Sequence, residues 1–482
     1  MDKDELFKIL NDESLRAPLK QFILPHLIKQ AKQGSLEAQI CLAGNYERGD
    51  GIPQNTTEAA YWYRKAALQG DAASQAYMGY LHLKGKGVTQ DKQQAMEWLR
   101  LAVNQGNATA QVNLALLYMQ DQNIPDYLEE AAQLYHLAAE QGNEVAQINL
   151  ALMYQHGYGI EKNISEAVRL YQLAAEQGHL QAQRTLAHLF KDGEGVDQDY
   201  EKAVYFYRLA AEQGDDEAQY MLAGLYNHGL GVEHDNRECE RLLKQAAEQG
   251  NISAQLALAE KYHDGLDFER NITETIRYYQ LAAAQGSPEA QYNLAVKYSN
   301  GEYFEQNKQE ALRLYQLAAA KGLAYAQNNI AHMYKIGDGV DVDKEKAAYY
   351  YQLAVAQGNA YAQVNLASLY EDGDGVKQDY QEAIRLYRLA ADQESAYGQA
   401  SLGSMYEKGL GVNQDYQEAL RLYRLAANQG LSDGQFNLGR MIYHGNGVEK
   451  NQTEGLKWIN CAAESGDEDA LKFLKEIARS IS

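Results

Sequence analysis

The sequence predicts an all-α protein, an α/α superhelical solenoid of twelve 36-residue helix-turn-helix repeats with helical caps, and three observations predict it. Glycine recurs at 34, 70, 106, 142, 178, 214, 250, 286, 322 and 358, then at 430 and 466, always in a 36-residue frame that only Glu394 breaks. Such fixed self-similarity marks an array of supersecondary units. Between these glycines apolar residues return every three or four positions, as on a helix with one buried face. The chain also holds 40 glycines against 5 prolines, which suits many helices that each end on a glycine. A single core is ruled out by length, since 482 residues exceed the roughly 250–300 at which one core stops growing.

Residues 1–34 are not a full repeat. Their stretch LIKQAKQG reads as a second helix, so the segment is expected to cap the open N-terminal end of the core. Twelve units then fill 35–466 as one solenoid, without an insertion. The unit 143–178 shows the plan. Asn143 caps a helix along which Ala146, Leu150 and Tyr154 recur on one face, with Ala151 small where a neighbouring helix must come close. A turn follows at Gly157 and Gly159, plugged by Ile160. Asn163 caps the second helix, and Glu166 three residues on completes a capping-box pattern. Ala167, Leu170, Tyr171, Ala174 and Ala175 form its apolar face, and Gly178 ends it. The same cap pairing recurs as Asn271/Glu274, Asn307/Glu310, Asp379/Glu382, Asp415/Glu418 and Asn451/Glu454. One such hairpin cannot bury its apolar faces alone, whereas a stack can.

Three units depart from the plan. Repeat three lacks both loop glycines and carries Asp121, Asn123 and Pro125 there; repeats seven and eight keep Gly265 and Gly301 but lose the second glycine, with Phe268 and Phe304 at the plug. Small changes of curvature are expected at these junctions. Residues 467–482 read as a lone first helix that caps the C-terminal end, with Lys472, Lys475 and Arg479 facing water.

Segments such as AQINLALMYQHGYGIEKNISEAVRLYQLAAEQG and GQASLGSMYEKGLGVNQDYQEALRLYRLAANQG strongly resemble the SEL-one-like repeat (SLR) family, a relative of the tetratricopeptide repeat. The resemblance runs through all twelve units. It implies antiparallel helix pairs stacked into a right-handed superhelix, with the first helix of each pair lining the concave side. It also implies an adaptor or scaffold for protein complexes, a role such proteins fill in bacterial signalling, cell-envelope and host-interaction settings.

The chemistry of an enzyme is not visible. No HExxH, CxxC, GxSxG or phosphate-binding glycine loop occurs. The acidic loops KDGEGVDQD, EDGDGVKQD and IGDGVDVDK lack the ligand spacing of a calcium loop and read as turns. His156, His228 and His444 share one slot at least two repeats apart, too far for one metal, so no metal and no cofactor is expected. Asn163, Asn251 and Asn271 match glycosylation acceptors, yet helix capping explains Asn163 and Asn271. Cys41, Cys239 and Cys461 show no disulfide or metal spacing. The net charge of −22 repels phosphate backbones and anionic headgroups, so neither nucleic acid nor membrane is expected as a partner. A basic protein would be steered toward such a surface. Met-Asp-Lys-Asp-Glu is no secretory start, and no run reaches the roughly 18 apolar residues of a membrane span. The expected location is the cytoplasm, or another cell reached by a route independent of a signal peptide, and a monomer is favoured.

A partner is expected on the first helix, opposite its core face. Counting from the alanine of each AQ pair at 100° per residue, that face falls at −1, +2 and +6. Repeats three and four place Val112, Leu116, Val145, Ile148 and Leu152 there. These read as an apolar patch for a partner helix, or as residues buried against one another by local curvature. Repeats nine to eleven align Tyr325, Tyr361 and Tyr397, with Tyr292 close by; tyrosines serve as binding anchors or as packing between repeats. At +3 stand Asn113, Asn149, Asn293, Asn329, Asn365 and Asn437, whose amides match a peptide backbone or tie helices together. The glutamine after the alanine, from Gln39 to Gln435, reads as structural. The leading expectation is thus a non-enzymatic scaffold or adaptor that binds a protein or peptide segment along its concave surface. The alternatives are a bacterial effector or an antitoxin or immunity-type protein that sequesters a specific, basic protein, and, least favoured, an enzyme with a site assembled across repeats.

Overall fold

The computed structural model describes residues 18–120 and 126–481, with side chains described from 24 and up to 479. These residues form 26 helices and no strand, an all-α solenoid. A helix at Pro18–Lys32 precedes twelve pairs, each an A helix followed by a B helix. The first pair is Leu36–Arg48 and Thr56–Leu68, the last Ser432–His444 and Gln452–Glu464, and a helix at Glu468–Ile481 follows them. Residues 1–17, and the repeat-three loop with Asp121, Asn123 and Pro125, lie outside the described residues. The chain divides into two compact units, 1–242 and 243–482, so the boundary falls inside the B helix Asn236–Glu248. From Pro18–Lys32 to Asp216–His228, and again from Ile252–Asp264 to Glu468–Ile481, each helix packs on the one that follows it.

Most A helices begin on side-chain caps, though those that follow His179, Leu323 and Leu431 do not. Asn143 accepts the N–H of Ala146 and Asp215 that of Ala218, leaving fewer orphan donors at the helix start. All but Ala108–Met119, which stops at Gln120, end on glycines in left-handed conformation, such as Gly157 at φ 75° and Gly373 at φ 73°. The B-helix caps behave as expected at one end only. Asn163 accepts from Glu166 N–H and Asn271 from Glu274 N–H, but the glutamates do not reach back to the cap. The cap's own N–H is already taken by a carbonyl of the A helix: Asn163 donates to Tyr154 and Asn271 to Tyr262. Glu166, Glu310 and Glu418 turn instead to an arginine three residues on, Arg169, Arg313 and Arg421, whereas Glu454 accepts from the side-chain amide of its cap Asn451 at 3.2 Å. The capping box is therefore half a box, and its other half ties the two helices of the hairpin.

The second loop glycine has a steric reason. A Cβ on Gly231 would stand 2.2 Å from the carbonyl carbon of Tyr200 at the start of the preceding B helix, and one on Gly375 2.5 Å from that of Lys344. Repeat eight puts Tyr303 in this slot at φ 71°, a conformation that strains a residue with a Cβ. The phenylalanine plugs are in place: Phe268 is buried beside Tyr262, and Phe304 stacks on Tyr298 with ring centres 4.1 Å apart.

Alanines, leucines and one row of tyrosines make up most of the core. Tyr135, Tyr171, Tyr207, Tyr279, Tyr315, Tyr351, Tyr387 and Tyr423 occupy one B-helix position and are buried. Burial pushes their hydroxyl pKa up, to about 12 at Tyr315 and further at the others.

Candidate partner-binding face

In the unit 243–482, Tyr325, Tyr361 and Tyr397 are each the second residue of an A helix, Ala324–Ile336, Ala360–Asp372 and Ala396–Lys408. Their side chains are 53%, 58% and 53% exposed, so all three point to solvent in register. Among the described residues no ring contact joins them to one another. Tyr292 is half-buried and couples this row to the core, with its ring 6.2 Å from Tyr325 and 5.8 Å from the buried Tyr315.

The asparagines at +3 are half-buried, and the bonds they make are internal. Asn329 donates from Nδ2 to the Tyr315 hydroxyl at 3.1 Å, and Asn293 is bonded to that of Tyr279. Asn149 donates to the Val145 carbonyl and Asn437 to that of Asp433, whereas Asn365 reaches Asn328. Only the bonds to Asn328 and the tyrosines link helices. Where the asparagine turns away, the core tyrosine hydroxyl has no partner, as at Tyr135 and Tyr351. Two repeats further along use an acid instead: Tyr387 donates to Glu371 at 2.8 Å and Tyr423 to Glu407 at 2.9 Å, the latter also held by Arg440 at 2.7 Å.

In the unit 1–242 the apolar patch divides. Leu116, Val145 and Leu152 are 37%, 40% and 39% exposed, but Val112 and Ile148 are buried. An angle of 100° per residue places +2 opposite the alanine stripe, yet an A helix here is flanked on both sides, and the +2 side chain lies under its neighbours. The patch facing water is thus narrower than the angular count gives. Nearby, Tyr77, Tyr80, Thr109 and Asn113 line a cleft of about 510 Å³ on the A helices of repeats two and three.

Sequence reasoning missed two features. Leucines at 101, 137, 281, 317, 353, 389 and 425 are exposed on the B helices at multiples of the 36-residue frame, a row that counting from the same glycines reveals. The other is a knot of groups in repeats seven and eight. Tyr303 lies 2.6 Å from His263 Nδ1, and Lys297 pairs with Glu302 at 2.9 Å. It depends on the left-handed Tyr303, for which the sequence has no signal beyond a lost glycine. Lys297 and Glu302 satisfy each other within the knot.

The Sel1 repeat family model matches twelve consecutive segments, from 36–71 to 432–467. The chain is a Sel1-repeat protein. Its structure is similar to that of a protective antigen of uropathogenic Escherichia coli strains, which displays an SLR fold. The two are 30% identical, with 93% of this chain and 97% of that chain covered and a TM-score of 0.74. A Sel1 repeat protein of Oxalobacter formigenes is 29% identical over 64% of this chain and 90% of its own, with a TM-score of 0.52. No curated protein matches the sequence. Sel1-repeat proteins generally mediate protein–protein interaction, and the repeat scaffold is typically non-catalytic. No described helix of this Sel1-repeat protein is long and apolar enough to cross a membrane.

Proposed function

We propose that this Sel1-repeat protein is a non-enzymatic scaffold or adaptor that holds a protein or peptide segment against its A-helix face. The observation that carries the reading is the exposed row of Tyr325, Tyr361 and Tyr397. Each ring offers a large apolar surface and a hydroxyl tip for little loss of conformational freedom, the profile of a binding anchor. Three rings at one helical position suit a partner that runs along the repeats. The net charge of −22 steers a basic partner toward the chain and discourages nucleic acid.

The test starts from a partner captured with the purified protein and identified by mass spectrometry. Titration calorimetry with that partner should show the triple variant Tyr325→Ala/Tyr361→Ala/Tyr397→Ala binding at least about a hundredfold more weakly, with an unchanged helical circular dichroism spectrum. An unchanged affinity would remove the A-helix face from the mechanism.

A further inference from the structure

The glutamine after the A-helix alanine works in two directions. Its Nε2 donates to an alanine carbonyl of the preceding helix, as Gln255 does to Ala247 at 3.0 Å and Gln327 to Ala319 at 3.3 Å. Its Oε1 accepts from a second glutamine 30 residues on, at the end of its own repeat's B helix. Gln285 supplies Gln255, Gln357 supplies Gln327 and Gln393 supplies Gln363, at 2.8–2.9 Å.

Repeat eight lacks the second half of this arrangement. Position 321 is lysine, and its Nζ donates to the Gly286 carbonyl at 2.6 Å. Gln291 still donates to Ala283 at 3.2 Å, but its Oε1, on a residue 5% exposed, accepts no hydrogen bond. Gln291 and Gly286 both line a cleft of about 460 Å³ between the B helices Ile272–Ala284 and Lys308–Ala320. Leu294, Leu314 and Leu317 form its apolar wall, and Glu310 and Arg313 stand at its edge, bonded to each other.

We propose that this cleft is a carboxamide-binding site, which takes a glutamine or asparagine side chain presented by a protein partner. The neighbouring repeats show what the acceptor is built for, since in them a glutamine amide from the chain itself fills it. The Gln291 backbone position and its bond to Ala283 are unchanged, so the acceptor is held in place for a donor that repeat eight does not supply. A buried acceptor without a donor is a standing cost to the fold and a source of binding energy when one arrives. An ammonium ligand is disfavoured because Lys321 already places a cation at Gly286. A carboxylate has no N–H to give. Gln291 Oε1 is closed off from water as it stands, so a carboxamide reaches it by displacing Lys321 from Gly286; its N–H groups then meet Gln291 Oε1, and its oxygen accepts from Lys321. The aliphatic stem lies on the three leucines, and the paired Glu310 and Arg313 ask for no charge. The cleft volume falls in the range of small-ligand sites, roughly 300–1,000 Å³. That the carboxamide comes from a protein rests on the scaffold reading above; the site itself does not.

The experiment uses the full chain with labelled leucine methyls and two probes, N-acetyl-glutamine N-methylamide and its norleucine counterpart, which has an apolar side chain. The glutamine probe should shift the methyl signals of Leu294, Leu314 and Leu317 saturably, and the norleucine probe should not. In Lys321→Gln, which restores the internal donor, the glutamine probe should bind at least about tenfold more weakly. This variant adds a bond, so it keeps the fold. Equal shifts from both probes, or equal binding to wild type and Lys321→Gln, would overturn the proposal. Because no captured partner is involved, failure here is separate from failure of the tyrosine-row test.

Discussion

Gln357 donates from Nε2 to Gln327 Oε1 at 2.8 Å, and Gln327 in turn donates to the Ala319 carbonyl. One side chain thus joins three helices: the preceding B helix, its own A helix and its own B helix. The bonds are partly buried, where an unmade hydrogen bond costs more than in water. Gln327→Leu should therefore lower unfolding free energy by about 2–3 kcal/mol, because both the Ala319 carbonyl and Gln357 lose a partner. Gln435 sits at the same position in repeat twelve, but Ser465 replaces the second glutamine and Gln435 Oε1 accepts nothing. Ser465→Gln should raise stability by about 1 kcal/mol, measured by urea denaturation. If Gln327→Leu were silent, the glutamines would be incidental to stacking.

Glu394 is the one break in the glycine frame, and it takes φ 62°. Most of its counterparts, such as Gly358 and Gly430, adopt the same left-handed turn with no atom near a would-be Cβ. The strain is thus in the backbone and not in crowding. Glu394→Gly should stabilise by about 0.5–1 kcal/mol after the larger unfolded-state freedom of glycine is counted. A destabilised variant would show that the glutamate side chain makes up for its conformation.

The array, its frame and its helix caps were legible in the sequence because each rests on local physics repeated along the chain: Gly157 must turn left, Asn163 must accept at a helix start, and Ala146 must be small. What the sequence concealed depends on neighbours. That Val112 is buried while Leu116 is exposed follows from how adjacent A helices flank one another, which an angle on a single helix does not contain. The bond from Asn329 to Tyr315, against that from Asn149 to its own helix, is a choice among rotamers with no mark in the repeat pattern. Lys321 was visible as a departure from glutamine, but its meaning needed Gln291 to be seen as an acceptor.

The buried tyrosines make a prediction about pH. Burial raises their pKa, to about 12 at Tyr315 and in the same direction at Tyr351 and Tyr387. A group whose folded pKa lies above its unfolded value, about 10 for tyrosine, contributes stability that is whole below pH 10. That stability is lost as pH rises through the folded value. Unfolding free energy should therefore hold steady up to about pH 10 and fall steeply above it, with tyrosinate absorbance growing as the chain unfolds. Tyr351→Phe removes a buried hydroxyl without a partner, so it should match or exceed wild-type stability at pH 7 and shrink the alkaline loss. Stability that stayed level up to pH 12 would mean the hydroxyls ionise within the fold.

The divided patch of repeats three and four separates folding from binding. Val112 and Ile148 are buried, so truncation removes packing: Val112→Ala and Ile148→Ala should each cost about 1–3 kcal/mol. Leu116 and Leu152 are more than a third exposed, so Leu116→Ser and Leu152→Ser should each change stability by less than about 0.5 kcal/mol. If this stretch of the A-helix face touches the partner, the serine pair should weaken a captured complex while leaving the denaturation curve in place. The alanine pair should do the opposite, shifting the curve and altering affinity only as far as the folded fraction falls. Measured together, the four variants sort contact from support. Serine variants that unfold the unit would place Leu116 and Leu152 in the core, and would leave Val145 as the patch's remaining exposed residue.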